Sequence, residues 1–209
     1  MIIALESASS DPSLAIAERD GSSLAGDAWE GEGRQASELL PHLLELLERA
    51  GRELAQADAI AVGIGPGSFT GLRVSMSLAK GLALALSVPL VGVPSLDAWL
   101  VAEPEAIAAV ARAGAQDAFV LMRGEAMPRI VAAAELAILL GSAPVAAPSE
   151  LAVAFGLGGA RSPRHAAEAV GLRASRRLTE EPNGDDLERL EPWYLRAPRG
   201  TVPAGGEVA

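Results

Sequence analysis

"GIGPGSFTGLRVSMSLAKGLA", Gly63–Ala83, packs four glycines and a proline into its first nine residues and then continues with helical spacing. It follows an apolar strand-like run, Ala59–Ile64. A glycine turn between strand and helix can hold an anion on its amides and on the helix N-terminus. It can equally let the helix approach the sheet closely. The named phosphate patterns fail. A Walker loop places lysine directly after its last glycine, whereas here Thr70 stands five positions after Gly65 and the nearest lysine, Lys80, lies three turns into the helix. The dinucleotide pattern fails because Ser68 and Thr70, not glycines, stand three positions after Gly65 and Gly67, and Ala83–Pro89 offers no ribose-binding acid. The expectation is a structural loop bounded by Gly63 and Gly71. Gly65 and Gly67 turn the chain, Pro66 fixes one φ angle, and Ser68 or Thr70 caps a helix running from Thr70 to Leu86. Generic anion binding by the loop stays open as the alternative.

Before this stretch, Ile2–Leu5, Ser13–Ala17 and Ser23–Trp29 read as a three-strand meander with a hairpin signal at Arg19–Ser22, followed by a loose stretch, Glu30–Arg34. Ser37 then suits the N-cap of a helix that ends at Ala50 before Gly51, with Pro41 about one turn in. Leu39, Leu40, Leu43, Leu44, Leu46, Leu47 and Ala50 cover an arc of roughly 160°, wider than the ~100° stripe of a one-sided helix. Such a helix either lies deep on its own sheet or serves a second protein as well. His42 falls on the polar arc, where solvation is expected.

After the loop, Arg73, Ser77 and Lys80 form one narrow polar stripe on a helix otherwise apolar or small, which implies a neighbour beyond its own sheet. Pro89–Val93 reads as a fifth strand, and a short helix opens at Ser95. Three strands followed by alternating helices and strands define an α/β half-domain of the ribonuclease H-like, actin-like kind, a mixed sheet with flanking helices. This half-domain spans residues 1–103. A smaller, divergent half spans 104–197, with strands at Ile107–Arg112 and Phe119–Arg123 and a helix at Glu135–Leu140. It is too short for a full second copy. Glu180–Asp186 reads as an acidic turn or linker, and residues 198–209 as a disordered tail.

The 209 residues contain no cysteine, so disulfides, thiolate metal sites and a cysteine nucleophile are excluded. Only His42 and His165 are present, with no H-x-x-x-H or H-E-x-x-H pair, so no metal site is expected. The net charge of −10 and the scarcity of aromatics disfavour a direct grip on RNA or DNA. The N-terminus lacks a secretion signal, and Val74–Val93 reads as core and not as a membrane span, so a cytoplasmic location is expected. Glu6–Ser10 sits where a sugar-kinase-like fold turns around phosphate, and Glu6 could hold magnesium through water. The favoured reading there is serines that satisfy turn amides.

Residues 57–98, the stretch "ADAIAVGIGPGSFTGLRVSMSLAKGLALALSVPLVGVPSLDA", with "SELLPHLLELLERAG" before it and "LEPWYLRAP" near the end, resemble the TsaB (YeaZ) family. That resemblance implies two ribonuclease H-like half-domains, the second reduced. It implies a dimerisation and scaffold subunit, without catalytic residues, cofactor or metal, of the machinery that makes threonylcarbamoyladenosine beside the tRNA anticodon. The implied partners are TsaD and TsaE. The resemblance also leaves room for a homodimer when the chain is alone, and it implies that tRNA is met only through the complex and that no membrane is involved. The implied interface lies on the first two helices, with Leu39, Leu40, Leu43, Leu46, Leu47, Arg73, Met76, Ser77 and Lys80 as its residues. An actin-like ATPase or a glycoprotease-type peptidase is the rival reading. The chain departs from the family pattern at Glu6-Ser7-Ala8, at Ala36-Ser37 and at Ala113–Phe119.

Overall fold

The computed structural model describes residues 1–31 and 35–195, with the side chain of Gln35 left aside. Arg34 and the tail 198–209 therefore lie outside the described residues. The first sheet holds β1 (Ile2–Glu6), β2 (Ser13–Ala17), β3 (Ser23–Ala28), β4 (Ala59–Gly63) and β5 (Leu90–Val93) in the order β3-β2-β1-β4-β5. β1 pairs antiparallel with β2 (Ile3 opposite Ile16) and parallel with β4 (Ile3 opposite Ile60).

Alternation sorts this sheet into two unlike faces. Ile3, Leu5, Leu14, Ile16, Ile60 and Val62 point to one side, where α1 (Gln35–Arg49) and α2 (Phe69–Leu86) cover them. Ile2, Ala4, Ala15, Ala17, Ala59 and Ala61 point to the other side. That alanine-rich face admits a helix at very short range. α6 (Ala166–Glu180) lies on it, and a Cβ placed on Gly171 would stand 3.3 Å from the Ala17 methyl.

The second half comprises β6 (Ala108–Arg112), β7 (Asp117–Met122), β8 (Arg129–Ala132), α4 (Ala133–Leu140), β9 (Val145–Ala146), α5 (Ser149–Phe155) and β10 (Ala160–Arg161). Its sheet runs β10-β9-β6-β7-β8. Read from the other edge, this is the strand order and pairing sense of the first sheet. The expectation of an incomplete copy is thus corrected: all five strands are present, trimmed to two residues in β9 and β10. The last helix of each half is exchanged. α3 (Ser95–Ala102) leaves the first sheet, yet Leu96, Trp99 and Leu100 pack on Ala109, Ala111, Phe119 and Leu121 of the second. α6 follows the second sheet and covers the first. Arg173 of α6 clamps Asp97 of α3 through two bonds of 2.7 and 2.9 Å.

α1 already includes Gln35, so Ser37 lies inside the helix and is not its N-cap. Gly51 follows at φ +62, in the left-handed region that glycine tolerates at a helix end. His42 is not freely solvated. Its ring stacks on Trp29 at 3.9 Å and its Nδ1 lies 2.8 Å from Asp27. α2 is long and apolar enough to cross a bilayer, but here one of its faces is built into the core of the first sheet.

The acidic stretch after α6 is a latch. Arg177 meets both Asp185 oxygens, at 2.9 and 2.7 Å, and Asp185 also accepts from the Gly92 amide at 2.7 Å. The charge-assisted bonds to Asp185 hold the Arg177 guanidinium above its ordinary range against the opposing effect of burial. Residues 184–193 are thereby tied along β5 and onto the glycine loop.

Candidate functional site

The glycine loop joins β4 to α2 and rests directly on the turn after β1. A Cβ on Gly63 would stand 2.0 Å from Glu6 Oε2, one on Gly67 would stand 2.2 Å from the Ala8 carbonyl, and one on Gly71 would stand 2.0 Å from the Ser7 carbonyl. Glycine is required at these positions by contact with backbone and with a buried carboxyl. At Gly65 the requirement is conformational, with φ +94. The loop's polar groups are largely committed to the protein itself. The Gly65 amide donates to Ser95 Oγ (2.9 Å), the Ser68 amide to the Ala8 carbonyl (2.7 Å) and the Gly71 amide to Ser68 Oγ (3.2 Å). The Gly65 carbonyl accepts from the Ser95 amide and the Ile64 carbonyl from the Trp193 amide. Ser68, and not Thr70, is the N-cap of α2, which begins at Phe69.

Beneath the loop sits Glu6, fully enclosed. Its Oε1 accepts from the Ala8 amide at 2.6 Å, while Oε2 and the hydroxyl of Ser7 find no partner among the described residues. Burial pushes the carboxyl up to about 7, against the hydrogen bonds that favour its charged form. The main turn-satisfying group here is this carboxylate; of the serines, Ser9 does so by accepting from the Asp11 amide at 3.1 Å. On its other side the loop borders a cleft of about 690 Å³ between the two halves, with Ser9, Ser10, Ser68, Thr70, Arg112 and Glu150 on its walls. Among the described residues no three His, Asp or Glu side chains come together as a metal-binding set.

α1 and α2 lie side by side on the first sheet, and burial divides their leucines. Leu39, Leu43, Leu46 and Leu47 are buried in the chain's own core, so these four expected interface residues are unavailable to a partner, and Met76 is buried in the same core with only an edge on the surface beside α2. Leu43 is fully buried in the cluster that also holds Ile3 and Val62, because the i, i+4, i+7 stripe of α1 is the one that covers the sheet. Leu40 is 41% exposed, and Leu44, which the leucine arc could not single out, is 49% exposed. α2 is not buried all round. Phe69, Thr70, Arg73, Ser77, Gly81, Leu84 and Ala85 form an outward stripe, with Leu84 70% exposed. The two neighbouring helices thus each carry exposed leucine, Leu40 and Leu44 on α1 and Leu84 on α2. Lys80 is half-buried and donates weakly to the Glu188 carbonyl (3.4 Å).

The family model for TsaD, tRNA N6-adenosine threonylcarbamoyltransferase, matches residues 33–143, more than half of the chain. The chain belongs to the TsaB (YeaZ) family. The Escherichia coli tRNA threonylcarbamoyladenosine biosynthesis protein TsaB is 43% identical over 58 residues, which are 28% of this chain and 25% of that protein. The tRNA N6-adenosine threonylcarbamoyltransferase of Solidesulfovibrio magneticus is 50% identical over 62 residues, 30% of this chain and 17% of that one. The chain spans a quarter to about half of the length of the first curated relatives it matches. YeaZ from Pseudomonas aeruginosa shares the fold, with a TM-score of 0.67, 24% identity and coverage of 93% of this chain and 99% of that one. This TsaB-family chain therefore has a ribonuclease H-like/actin-like fold in two halves.

Proposed function

We propose that this chain is a non-catalytic dimerisation and scaffold subunit of the complex that adds a threonylcarbamoyl group to the tRNA adenosine beside the anticodon. It acts with a TsaD-type subunit and a TsaE-type ATPase in the cytoplasm. The observation that carries this reading is the outward face of α1 and α2, where Leu40, Leu44 and Leu84 stand exposed on the two helices of the half that resembles the family most closely. Large apolar side chains left exposed on two neighbouring helices support a protein contact there. We assign the contact to residues 1–103 and treat 104–197 as the smaller half that braces it. The commitment of the loop amides to Ser95, Ala8 and Ser68 supports a loop that orients α2 over one that binds nucleotide. The net charge of −10 supports a chain that meets tRNA only through its partners.

The test is co-elution of this chain with a TsaD-type subunit of the same organism on size exclusion. Leu40→Asp and Leu44→Asp place an unpaired carboxylate in the seam and lower affinity at least about a hundredfold, with unchanged circular dichroism and loss of threonylcarbamoylation by the reconstituted complex. A complex that survives both substitutions overturns the assignment of this face.

A further inference from the structure

The second half carries an outward helix pair of its own. In the order β6-β7-β8-α4-β9-α5-β10, α4 and α5 stand where α1 and α2 stand in β1-β2-β3-α1-β4-α2-β5. Their sequences echo one another: Glu135-Leu136-Ala137-Ile138 of α4 recurs as Glu150-Leu151-Ala152-Val153 in α5. The leucine of each pattern is buried in the cluster against the second sheet. The residue two places on is turned away from it. At about 100° per residue, Ile138 lies opposite the midpoint of Leu136 and Leu140, and Val153 opposite that of Leu151 and Phe155. Ile138 is 87% exposed and Val153 85%, the two highest values for large apolar side chains among the described residues, above Leu84. α4 and α5 are neighbours, so both branched side chains stand on the outer side of one helix layer.

Shape favours a second copy of this chain as the occupant. Each helix sets its branched side chain beside exposed small ones, Ala134 and Ala137 next to Ile138 and Ala154 next to Val153. A face that holds both ridge and gap is complementary to itself about a two-fold axis. Charge agrees. The chain carries −10 overall, so two copies repel except where they meet without facing carboxylates. α4 and α5 carry one charge each, Glu135 and Glu150, both in the first turn. β8, β9 and β10 run the same way, so the two helices run back along them and both acids fall at one end of the pair. A two-fold mate sets its own acids at the other end, about 12 Å away for a helix of 8 residues. That exceeds the Debye length of about 8 Å at physiological salt. Neither helix holds a lysine or arginine, so nothing on them draws an anionic lipid surface. The chain's own end starts from the wrong side. Leu195, the last described residue, packs with α3 on one face of the second sheet, whereas α4 and α5 cover the other.

We propose that the outer face of α4 and α5 is a self-association surface. A second copy of this chain packs on it about a two-fold axis, with Ile138 and Val153 of each copy against the alanines of the other. The few side chains involved fall well short of a standard interface, which has about 20–30 residues a side, so the contact is weak, with Kd of about 100 μM. It uses neither the α1 leucines nor Leu84, so it stands or falls separately from the pairing with a TsaD-type subunit.

The sequence has no cysteine, so a single introduced thiol reports its neighbours without background. The full-length chain is oxidised as Ile138→Cys, as Val153→Cys and as a mixture of the two. At least one of these is expected to give a disulfide-linked dimer about tenfold faster than Arg176→Cys, an exposed position on α6. Sedimentation velocity from about 10 μM to 1 mM, in a Leu44→Asp background that removes the α1 contact, is expected to show a reversible dimer. Ile138→Asp and Val153→Asp should each weaken it about tenfold or more, and Arg176→Glu should leave it unchanged. All these positions are exposed, and circular dichroism confirms that each variant is folded. No dimer up to about 1 mM, a dimer indifferent to both aspartates, or cross-linking no faster than that of Arg176→Cys overturns the inference. Ile138→Cys shielded from maleimide at about 1 μM, where the chain is monomeric, also overturns it, since the chain's own end then covers the face.

Discussion

Glu6→Gln isolates the buried carboxyl under the glycine loop. Burial raises this group from an ordinary 4.5 to about 7. Below pH 4.5 it is protonated in both the folded and the unfolded chain and contributes nothing to pH dependence. Between the two values the folded chain keeps a proton that the unfolded chain has released, so stability falls as pH rises. Above about pH 7 the full cost is present. At 1.36 kcal/mol per pH unit the interval from 4.5 to about 7 corresponds to about 3 kcal/mol. Glutamine resembles the protonated acid in shape. It keeps an acceptor for the Ala8 amide and does not ionise. Urea unfolding of wild type and E6Q from pH 5 to 8.5, which covers about two of these pH units, should show wild type losing about 2.5 kcal/mol relative to the variant, or roughly 5–10 °C in Tm for a chain of this size. Effects of all other titrating groups appear in both proteins and cancel in the difference. Two stability curves that run parallel across this range refute the reasoning.

Leu43→Ala should cost about 2–5 kcal/mol in urea unfolding, since Leu43 is buried in the first core, whereas Leu40→Ala at the exposed neighbouring position should cost less than about 0.5 kcal/mol. Ser68→Ala should cost about 1 kcal/mol, the loss of one helix cap, and leave complex formation intact on size exclusion. Gly71→Ala forces a methyl onto the Ser7 carbonyl and should destabilise by several times that amount, with weakened assembly as its second readout. Asp185→Ala removes the anchor of the strap. Limited proteolysis should then cut within residues 181–193, and near-neutral protease sensitivity equal to wild type would show that the latch carries no weight.

The first half was readable because each of its elements repeats one period long enough to see. Ser13–Ala17, Ala59–Gly63 and the α2 run declare themselves by alternation, by a continuous apolar stretch and by a glycine start. The strand order of the second half was hidden for the opposite reason. β9 and β10 have two residues each, too few to show a period, whereas α4 was legible as the helix Glu135–Leu140. The role of the α1 leucines was half readable. Their arc announces surplus apolar surface, but only the sheet decides that Leu39, Leu43, Leu46 and Leu47 turn inward and that Leu40 and Leu44 remain outside. Glu180–Asp186 was legible as an acidic turn or linker, and the chain does turn there, with the Gly184 amide on the Glu181 carbonyl; the pairing of Asp185 with Arg177 and Gly92 was not, because residue type does not encode which neighbours the turn brings together.

The exchange of α3 and α6 also has a bearing on synthesis. When the ribosome has made α3, the first sheet is complete in strands, but Ala4, Ala15, Ala17, Ala59 and Ala61 still await the helix ending at Glu180. At about 5–20 residues per second that interval lasts roughly 4–16 s. For all of it the nascent chain carries an open alanine face beside a Trp99 whose own sheet does not yet exist. Neither half can finish first, so the chain emerges as one late-closing unit in which the last helix made seals the first sheet begun.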